Sequence, residues 1–170
     1  MKEQMKELLS QSTKLELNVA EVYEIFANTF SEDRNFWWSL VIEEKNHAAI
    51  LRSGENSYLK INLFPEAMLS DSLDSLKMIN KNLQQLISEF NNKKPSRELA
   101  FNIAYKLEQT AGEIHFQDYM TKKSESEVDR ILQRLNQDDK DHADRIMKYM
   151  KEHEISINED ILPGFLRQGK

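Results

Sequence analysis

Glycine and proline are scarce in this chain, and their scarcity constrains its fold more than any other feature of the sequence. Four glycines and three prolines occur among 170 residues, whereas these two residue types together make up about 12% of an average protein. Barrels, sandwiches and loop-rich folds use both residues at their many turns. The sequence therefore favours a few long helices joined by a small number of turns.

Five segments show apolar residues at steps of three and four, which is the spacing of an amphipathic helix. This pattern predicts helices at about 4–29, 32–52, 71–91, 96–121 and 125–153. Ser31, followed by acidic Glu32 and Asp33, is expected to cap the second helix. We expect an all-α fold: a four-helix bundle of two antiparallel hairpins, joined by a long crossover that carries one additional helix.

The rest of the composition narrows the possible functions. With 39% hydrophobic residues the chain can bury a core, so we interpret residues 1–170 as a single domain. A net charge of −6 without a basic stripe argues against a nucleic-acid partner. Zero cysteines exclude disulfide scaffolds, thiolate zinc sites and cysteine nucleophiles. No apolar signal segment or membrane span is visible, so we expect a cytoplasmic protein without a membrane partner.

Two helical segments carry an acid three residues before a histidine, which places both side chains on one face of the helix. The first reads Glu44-Lys-Asn-His47-Ala, and the second reads Asp139-Lys-Asp-His142-Ala, without a gap between them in the alignment. The spacing alone is weak evidence, because short motifs have many chance matches. The gap-free alignment of the two segments strengthens the evidence and indicates an internal helix–turn–helix repeat.

The helix before each of these segments repeats a glutamate on its apolar stripe. Glu16 follows Leu15, as Glu108 follows Leu107, and seven residues later stand Tyr23 and His115 respectively. All four acids of the repeat lie about 14 to 16 residues from their hairpin turns, so antiparallel helices of equal rise bring them to one level. The four acids and two histidines are therefore expected to meet at mid-bundle.

Four carboxylates in a protein core would repel one another and would each be costly to desolvate. Two divalent cations would cancel these charges and accept two neutral imidazoles as ligands. A site rich in oxygen, with two histidines, suits iron or manganese better than structural zinc. The sequence thus predicts a dinuclear metal site.

The first hairpin reads ELNVAEVYEIFANTFSEDRNFWWSLVIEEKNHAAIL from residue 16 to 51. With the second acid-x-x-His segment, it resembles the rubrerythrin branch of the ferritin-like di-iron carboxylate superfamily. The resemblance covers roughly residues 10–50 and 97–150. It implies two iron ions, or manganese or a mixed pair, with terminal ligands Glu16 and Glu108, bridging acids Glu44 and Asp139, and imidazole ligands His47 and His142.

This sequence differs from the family pattern at three points. Asp139 takes the place of the usual glutamate, and its shorter side chain is expected to bind one metal ion rather than bridge two. The cysteine-rich, rubredoxin-like domain of full rubrerythrins is missing. Ala111 stands where rubrerythrins carry an extra glutamate three residues after the third-helix ligand.

Several assignments stay open at this point. Neighbouring acids compete for three ligand positions: Glu43 for Glu44, Asp138 for Asp139, and Glu113 for Glu108. His115 is either a hydrogen-bonded core histidine or a proton donor or spare ligand beside the metals. Tyr23 is either a core aromatic or a redox participant, and these two are the candidate catalytic residues.

Three functions fit the predicted site. The first is a di-iron oxidoreductase that reduces peroxide or oxygen, and re-reduction then requires a separate electron-donor protein, because the chain has no cysteine. The second is an iron-oxidising or iron-handling protein whose substrate is Fe(II). The third is a metal-free structural bundle. We also expect a homodimer or higher homo-oligomer.

Overall fold

The computed structural model describes residues 2–53, 72–110 and 142–167, together with positions 123 and 130. Every secondary-structure element in this part of the chain is helical, so the all-α prediction is confirmed. The helices are α1 (Lys2–Thr29), α2 (Arg34–Ser53), α3 (Leu73–Asn92), α4 (Arg97–Thr110), α5 (His142–Glu152) and α6 (Gly164–Arg167). Single 3₁₀ turns occupy Ser31–Asp33 and Glu159–Ile161.

The helix boundaries follow the predicted ones closely where they are described. One difference lies at the start of the second helix. The expectation that Ser31 caps this helix is wrong, because Ser31 begins a 3₁₀ turn that precedes α2, and the cap position of that turn is Phe30, which makes no side-chain cap hydrogen bond. Ser96 accepts a hydrogen bond from the backbone N–H of Leu99 at 3.2 Å and so caps the start of α4. The predicted remainders of the fourth and fifth helices lie largely outside the described residues.

An aromatic core lies between the α1–α2 hairpin and α4. Tyr23 and Phe26 from α1, Trp37 from α2 and Phe101 from α4 are all fully buried. Burying a side chain of this size stabilises the fold by about 1.5–3 kcal/mol. This core therefore fixes the hairpin against α4 and sets the level at which their polar residues meet.

Helix α3 packs along α1. Its apolar stripe is buried, and buried Asn80 lies among these side chains. Asn80 accepts a hydrogen bond from Asn18 at 2.8 Å and donates one to the carbonyl oxygen of Gln11 at 2.9 Å. Because a buried amide without partners would be costly, these bonds fix the register of α3 on α1.

Helix α4 also holds the segment that follows α5. Asn102 donates to the carbonyl oxygen of Ser156 at 2.9 Å and accepts from the backbone N–H of Asn158 at 2.7 Å. Leu162 and Leu166 are buried further along this segment. The C-terminal segment is thus part of the packed fold up to α6.

Three charged or polar residues, Asp33, Arg97 and Tyr149, form what we call the end cluster. Asp33 is only 1% exposed, and Arg97 donates to both of its carboxylate oxygens at 2.7 Å. Tyr149 donates to Asp33 Oδ1 at 2.9 Å. Burial alone would raise the pKa of Asp33, but its hydrogen bonds to Arg97 and Tyr149 outweigh burial and lower it. The end cluster ties the α1–α2 turn to α4 and α5.

The search for membrane-crossing helices found none among the described helices that is both long and apolar enough.

Candidate metal centre

Five residues from four helices converge in the interior, and we call them the central cluster. Their possible ligand atoms form two groups, in each of which the atoms lie within 4.8 Å of one another. Glu16, Glu44 and His47 form the first group, and Glu44, Glu108 and His142 form the second. These five are among the six metal ligands predicted from the sequence. Glu44 belongs to both groups and therefore lies at the centre of the arrangement.

The two carboxylate oxygens of Glu44 face different histidines. Its Oε2 lies 3.2 Å from His47 Nδ1, whereas its Oε1 lies 3.1 Å from His142 Nδ1. The two imidazole rings are nearly parallel, with centroids 5.8 Å apart. Both histidines thus present the same ring nitrogen to the same carboxylate from opposite sides.

Glu16 and Glu108, which we call the outer glutamates, complete the two groups in similar ways. Glu16 Oε2 lies 3.5 Å from His47 Nδ1, and Glu108 Oε2 lies 3.4 Å from His142 Nδ1. Their environments differ, because the side chain of Glu16 is 18% exposed and that of Glu108 only 5%. Solvent therefore reaches the cluster most readily at Glu16.

Helical spacing brings these polar side chains into the core. Glu44 and His47 share one face of α2 at a spacing of three residues, and buried Leu40 and Leu51 continue that face in both directions. On α1 and α4, buried Leu15 and Leu107 directly precede the two glutamates. The polar residues therefore interrupt apolar stripes that the hydrophobic effect turns inward.

Burial and mutual repulsion change the proton affinity of the carboxyl groups. Burial, with a further contribution from the negative charge of Glu44, raises the pKa of Glu16 to about 8. The pKa of Glu108 is raised for the same two reasons. The pKa of Glu44 is held well below its usual range, because hydrogen bonds to His142 and His47 outweigh its burial.

His142 carries a positive charge in the metal-free cluster. Burial opposes that charge, but hydrogen bonds to Glu108, Glu43 and Glu44 outweigh it and raise the pKa of His142 to about 12. A proton on His142 thus offsets the negative charge of Glu44. Metal ligands must give up such protons, so a bound cation would take their place.

Glu43, the alternative to Glu44 as a predicted metal ligand, lies on the far side of His142. It contacts His142 Nε2 and Arg145 Nη1, each at 2.5 Å. Arg145 also donates to Ser39 at 3.0 Å. The prediction did not include Arg145 or Ser39, although both spacings are visible in the sequence: three residues after His142 and four before Glu43. Glu43 holds the ring of His142 with Nδ1 directed at the cluster.

Tyr23 is a buried core aromatic whose hydroxyl also reaches the central cluster. It donates a hydrogen bond to Glu108 Oε1. Its ring lies against Trp37 and Phe26, with centroids 5.7 and 6.3 Å away. Tyr23 is therefore a core aromatic that also contacts the cluster, and its expected redox role stays a prediction.

Several predicted residues lie outside the part of the chain that the structure describes. They are Asp139, its rival Asp138, Glu113, the candidate catalytic His115, and Ala111. Their expected roles stay predictions.

The donor set of the described cluster fits a pair of divalent cations. It offers three carboxylates and two imidazoles, which are the ligand types that iron and manganese accept. A scan against protein-family models and searches of curated proteins and of solved structures found no match to this chain. The functional argument therefore depends on the residues themselves.

Proposed function

We propose that this protein is a ferritin-like di-metal carboxylate protein of the rubrerythrin type, which reduces hydrogen peroxide or oxygen at a pair of iron ions. Glu44 carries this proposal, because its two oxygens face different histidines at 3.2 and 3.1 Å. A carboxylate so oriented is suited to bridge two cations. A purely structural buried glutamate needs only one charged partner.

The proposed ligands divide between the two ions as the two groups do. Glu16 and His47 would hold one ion, Glu108 and His142 the other, and Glu44 both. Asp139 completes the set that the family resemblance implies. Because aspartate is one methylene shorter than glutamate, we expect Asp139 to bind only the ion beside His142, and to leave that ion less tightly held.

The charge of the cluster supports a cation rather than a neutral ligand. In the metal-free protein, burial and the negative charge of Glu44 raise the pKa of Glu16 and Glu108, so further negative charge is disfavoured at both positions. A dication neutralises the same carboxylates without protons, and its binding to the folded state stabilises that state.

Two Fe(II) ions supply the two electrons that cleavage of an O–O bond requires. The side chains around them position the ligands and control access. Glu43 orients His142 through Nε2, and Tyr23 orients Glu108 through its hydroxyl. Glu16, the more exposed of the outer glutamates, marks the side from which a small oxidant enters. Buried Trp37 and Phe26 exclude water behind Tyr23.

The proposed bundle consists of α1, α2, α4 and α5, with α3 as the additional crossover helix. This assignment is supported by the packing of α1 on α2 and of α4 on α5, and by the one ligand or more that each of the four helices contributes. We further propose a separate electron-donor protein and a homo-oligomeric assembly.

Anaerobic loading with Fe(II), followed by hydrogen peroxide and a reductant, tests the proposed activity. We expect repeated peroxide reduction by the native protein and its loss in Glu44→Gln. Glu21→Gln is the matched control, because it removes the same charge from an exposed position on α1. Equal activity of Glu44→Gln and the native protein would contradict the proposal. Continued oxidation of added Fe(II) without peroxide turnover would favour the iron-oxidising alternative.

A further inference from the structure

A chain of aromatic rings leads from the central cluster to the protein surface. It begins at Tyr23, whose hydroxyl donates to Glu108, and its next ring is Trp37, with centroids 5.7 Å apart. It ends at half-buried Tyr149, which stacks on exposed His153 at 4.1 Å. The chain thus joins the candidate metal centre to solvent.

Two phenylalanines bridge the inner and outer halves of this chain. Phe36 lies 5.2 Å from Trp37 and stacks on Tyr149 at 4.1 Å. Phe101 lies 4.4 Å from Trp37 and 5.4 Å from Tyr149. Electron tunnelling falls off steeply with distance, so two packed bridges in parallel favour transfer between Trp37 and Tyr149.

The hydrogen bonds of the three oxidisable rings differ in a way that suits stepwise transfer. Tyr23 donates to Glu108, and Tyr149 donates to Asp33, so each phenol has a carboxyl group beside it that can take its proton on oxidation. Trp37 Nε1 is buried and has no hydrogen-bond partner in the described part of the chain. An oxidised Trp37 therefore keeps its proton and passes the charge on.

From this arrangement we propose that Tyr23, Trp37 and Tyr149 form a relay that carries one-electron oxidising equivalents from the central cluster to the surface. The use of the relay rests on the proposed peroxide chemistry. The path itself does not depend on metal and is tested without it.

The electrons and protons of the relay balance as follows. Reduction of hydrogen peroxide to two waters takes two electrons and two protons, and the protons come from solvent. Where bound iron would supply only one electron, Tyr23 supplies the second while its proton passes to Glu108. Trp37 then reduces Tyr23, which regains its proton. Tyr149 reduces Trp37 and gives its own proton to Asp33. A small one-electron reductant at the surface, such as ascorbate or a thiolate, restores Tyr149, which takes its proton back from Asp33.

Such a relay would protect a partly loaded centre. An oxidising equivalent left at the cluster would otherwise attack nearby side chains, whereas the relay delivers it to a soluble reductant. Trp37 is the only oxidisable ring between the two tyrosines along the described ring contacts. Its replacement therefore provides the sharpest test.

The absence of cysteine allows a photochemical test on the full-length, metal-free protein. Glu152→Cys creates a unique attachment point on an exposed position three residues after Tyr149. A ruthenium tris-bipyridine label there, oxidised by a light pulse and a soluble electron acceptor, removes an electron from Tyr149. Transient absorption and freeze-quench electron paramagnetic resonance then detect the radical that reaches Tyr23, identified by its loss in Tyr23→Phe.

We expect Trp37→Phe to lower the yield of the Tyr23 radical about tenfold or more, a factor equivalent to about 1.4 kcal/mol in a barrier. Tyr149→Phe, which keeps the ring but removes the phenol, lowers it as well. Trp38→Phe is the matched control, because this half-buried neighbour lies outside the chain of rings, and it leaves the yield unchanged. Circular dichroism confirms that each variant is folded.

An equal yield in Trp37→Phe and the parent protein would overturn the relay, as would oxidation confined to Tyr149 in the parent. Because no metal is present, neither result depends on iron binding. Failure of the iron-loading experiment would in turn reject the proposed function and leave the ring-to-ring transfer intact.

Discussion

The end cluster and the central cluster are both buried groups of charged residues, but they balance their charges differently. Asp33 of the end cluster has its own cation, since Arg97 binds both of its oxygens at 2.7 Å. In the central cluster three carboxylates face two histidines, and burial together with the charge of Glu44 raises the pKa of Glu16 and of Glu108. A buried acid with an internal partner is explained by structure alone. An excess of buried acids is the charge pattern that the proposed cations would neutralise.

The largest expected effect is on the end cluster. Arg97→Met leaves Asp33 buried without its cation, so we expect the free energy of unfolding to fall by about 3–5 kcal/mol. Metal binding at the central cluster is expected to stay unchanged in the folded variant. Urea denaturation measures the first effect, and elemental analysis the second. The double variant Asp33→Asn/Arg97→Met should regain part of the stability, and no recovery would mean that the pair acts mainly through packing.

The second-largest expected effect is stabilisation of the folded protein by metal, which should depend on the central cluster. Fe(II) or Mn(II) at about one hundred times its dissociation constant should stabilise the native protein by about 2.7 kcal/mol. This gain should disappear in Glu44→Gln, which lacks the carboxylate shared by both groups, and persist in the Glu21→Gln control. Thermal unfolding under anaerobic conditions measures it. Equal melting temperatures of the native protein with and without metal would favour the metal-free bundle.

The third effect distinguishes the two halves of the central cluster. Glu43→Gln weakens the hydrogen bond to His142 Nε2, so affinity at the Glu108 group should fall about 10- to 100-fold. The Glu16 group, whose histidine is His47, should keep its affinity. Calorimetric titration with Mn(II) measures the affinities of the two groups separately. A matched decrease at both sites would show that Glu43 acts on the cluster as a whole.

The smallest effect is a difference in pH dependence of the metal-free protein. The pKa of Asp33 is lowered on folding, so its contribution to stability is present above the usual aspartate value and is lost as the pH falls through the folded pKa. The pKa of Glu16 is raised from 4.5 to about 8, so its contribution declines as the pH rises between those values. Urea denaturation with a chelator should give a decline above pH 4.5 that becomes smaller in Glu16→Gln. The decline at acid pH should become smaller in Asp33→Asn, and identical curves for all three proteins would contradict both assignments.

The sequence allowed the central cluster to be predicted because its residues share a regular spacing. Glu44 and His47 lie on one helical face, and similar distances from the predicted hairpin turns put Glu16 and Glu108 at one level. The partner role of Glu43 was missed, since it depends on how α5 approaches α2 rather than on spacing within one helix.

The end cluster could not be predicted in this way. Its residues come from three distant segments, and Asp33 is preceded by Ser31 and Glu32 in a pattern typical of an exposed helix start. Tyr149, which contacts Asp33, comes from α5, so the burial of Asp33 emerges only from the packing. The same holds for Asn80, whose partners Asn18 and Gln11 lie on another helix.

Metal stoichiometry tests the central claim most directly. After anaerobic loading with Fe(II) and removal of free metal, elemental analysis should find about two ions per chain in the native protein and almost none in Glu44→Gln. Retention of Fe(II) by Glu21→Gln would show that the loss is specific to the shared carboxylate. Fewer than about 0.2 ions per chain in the native protein would contradict a dinuclear centre at these residues.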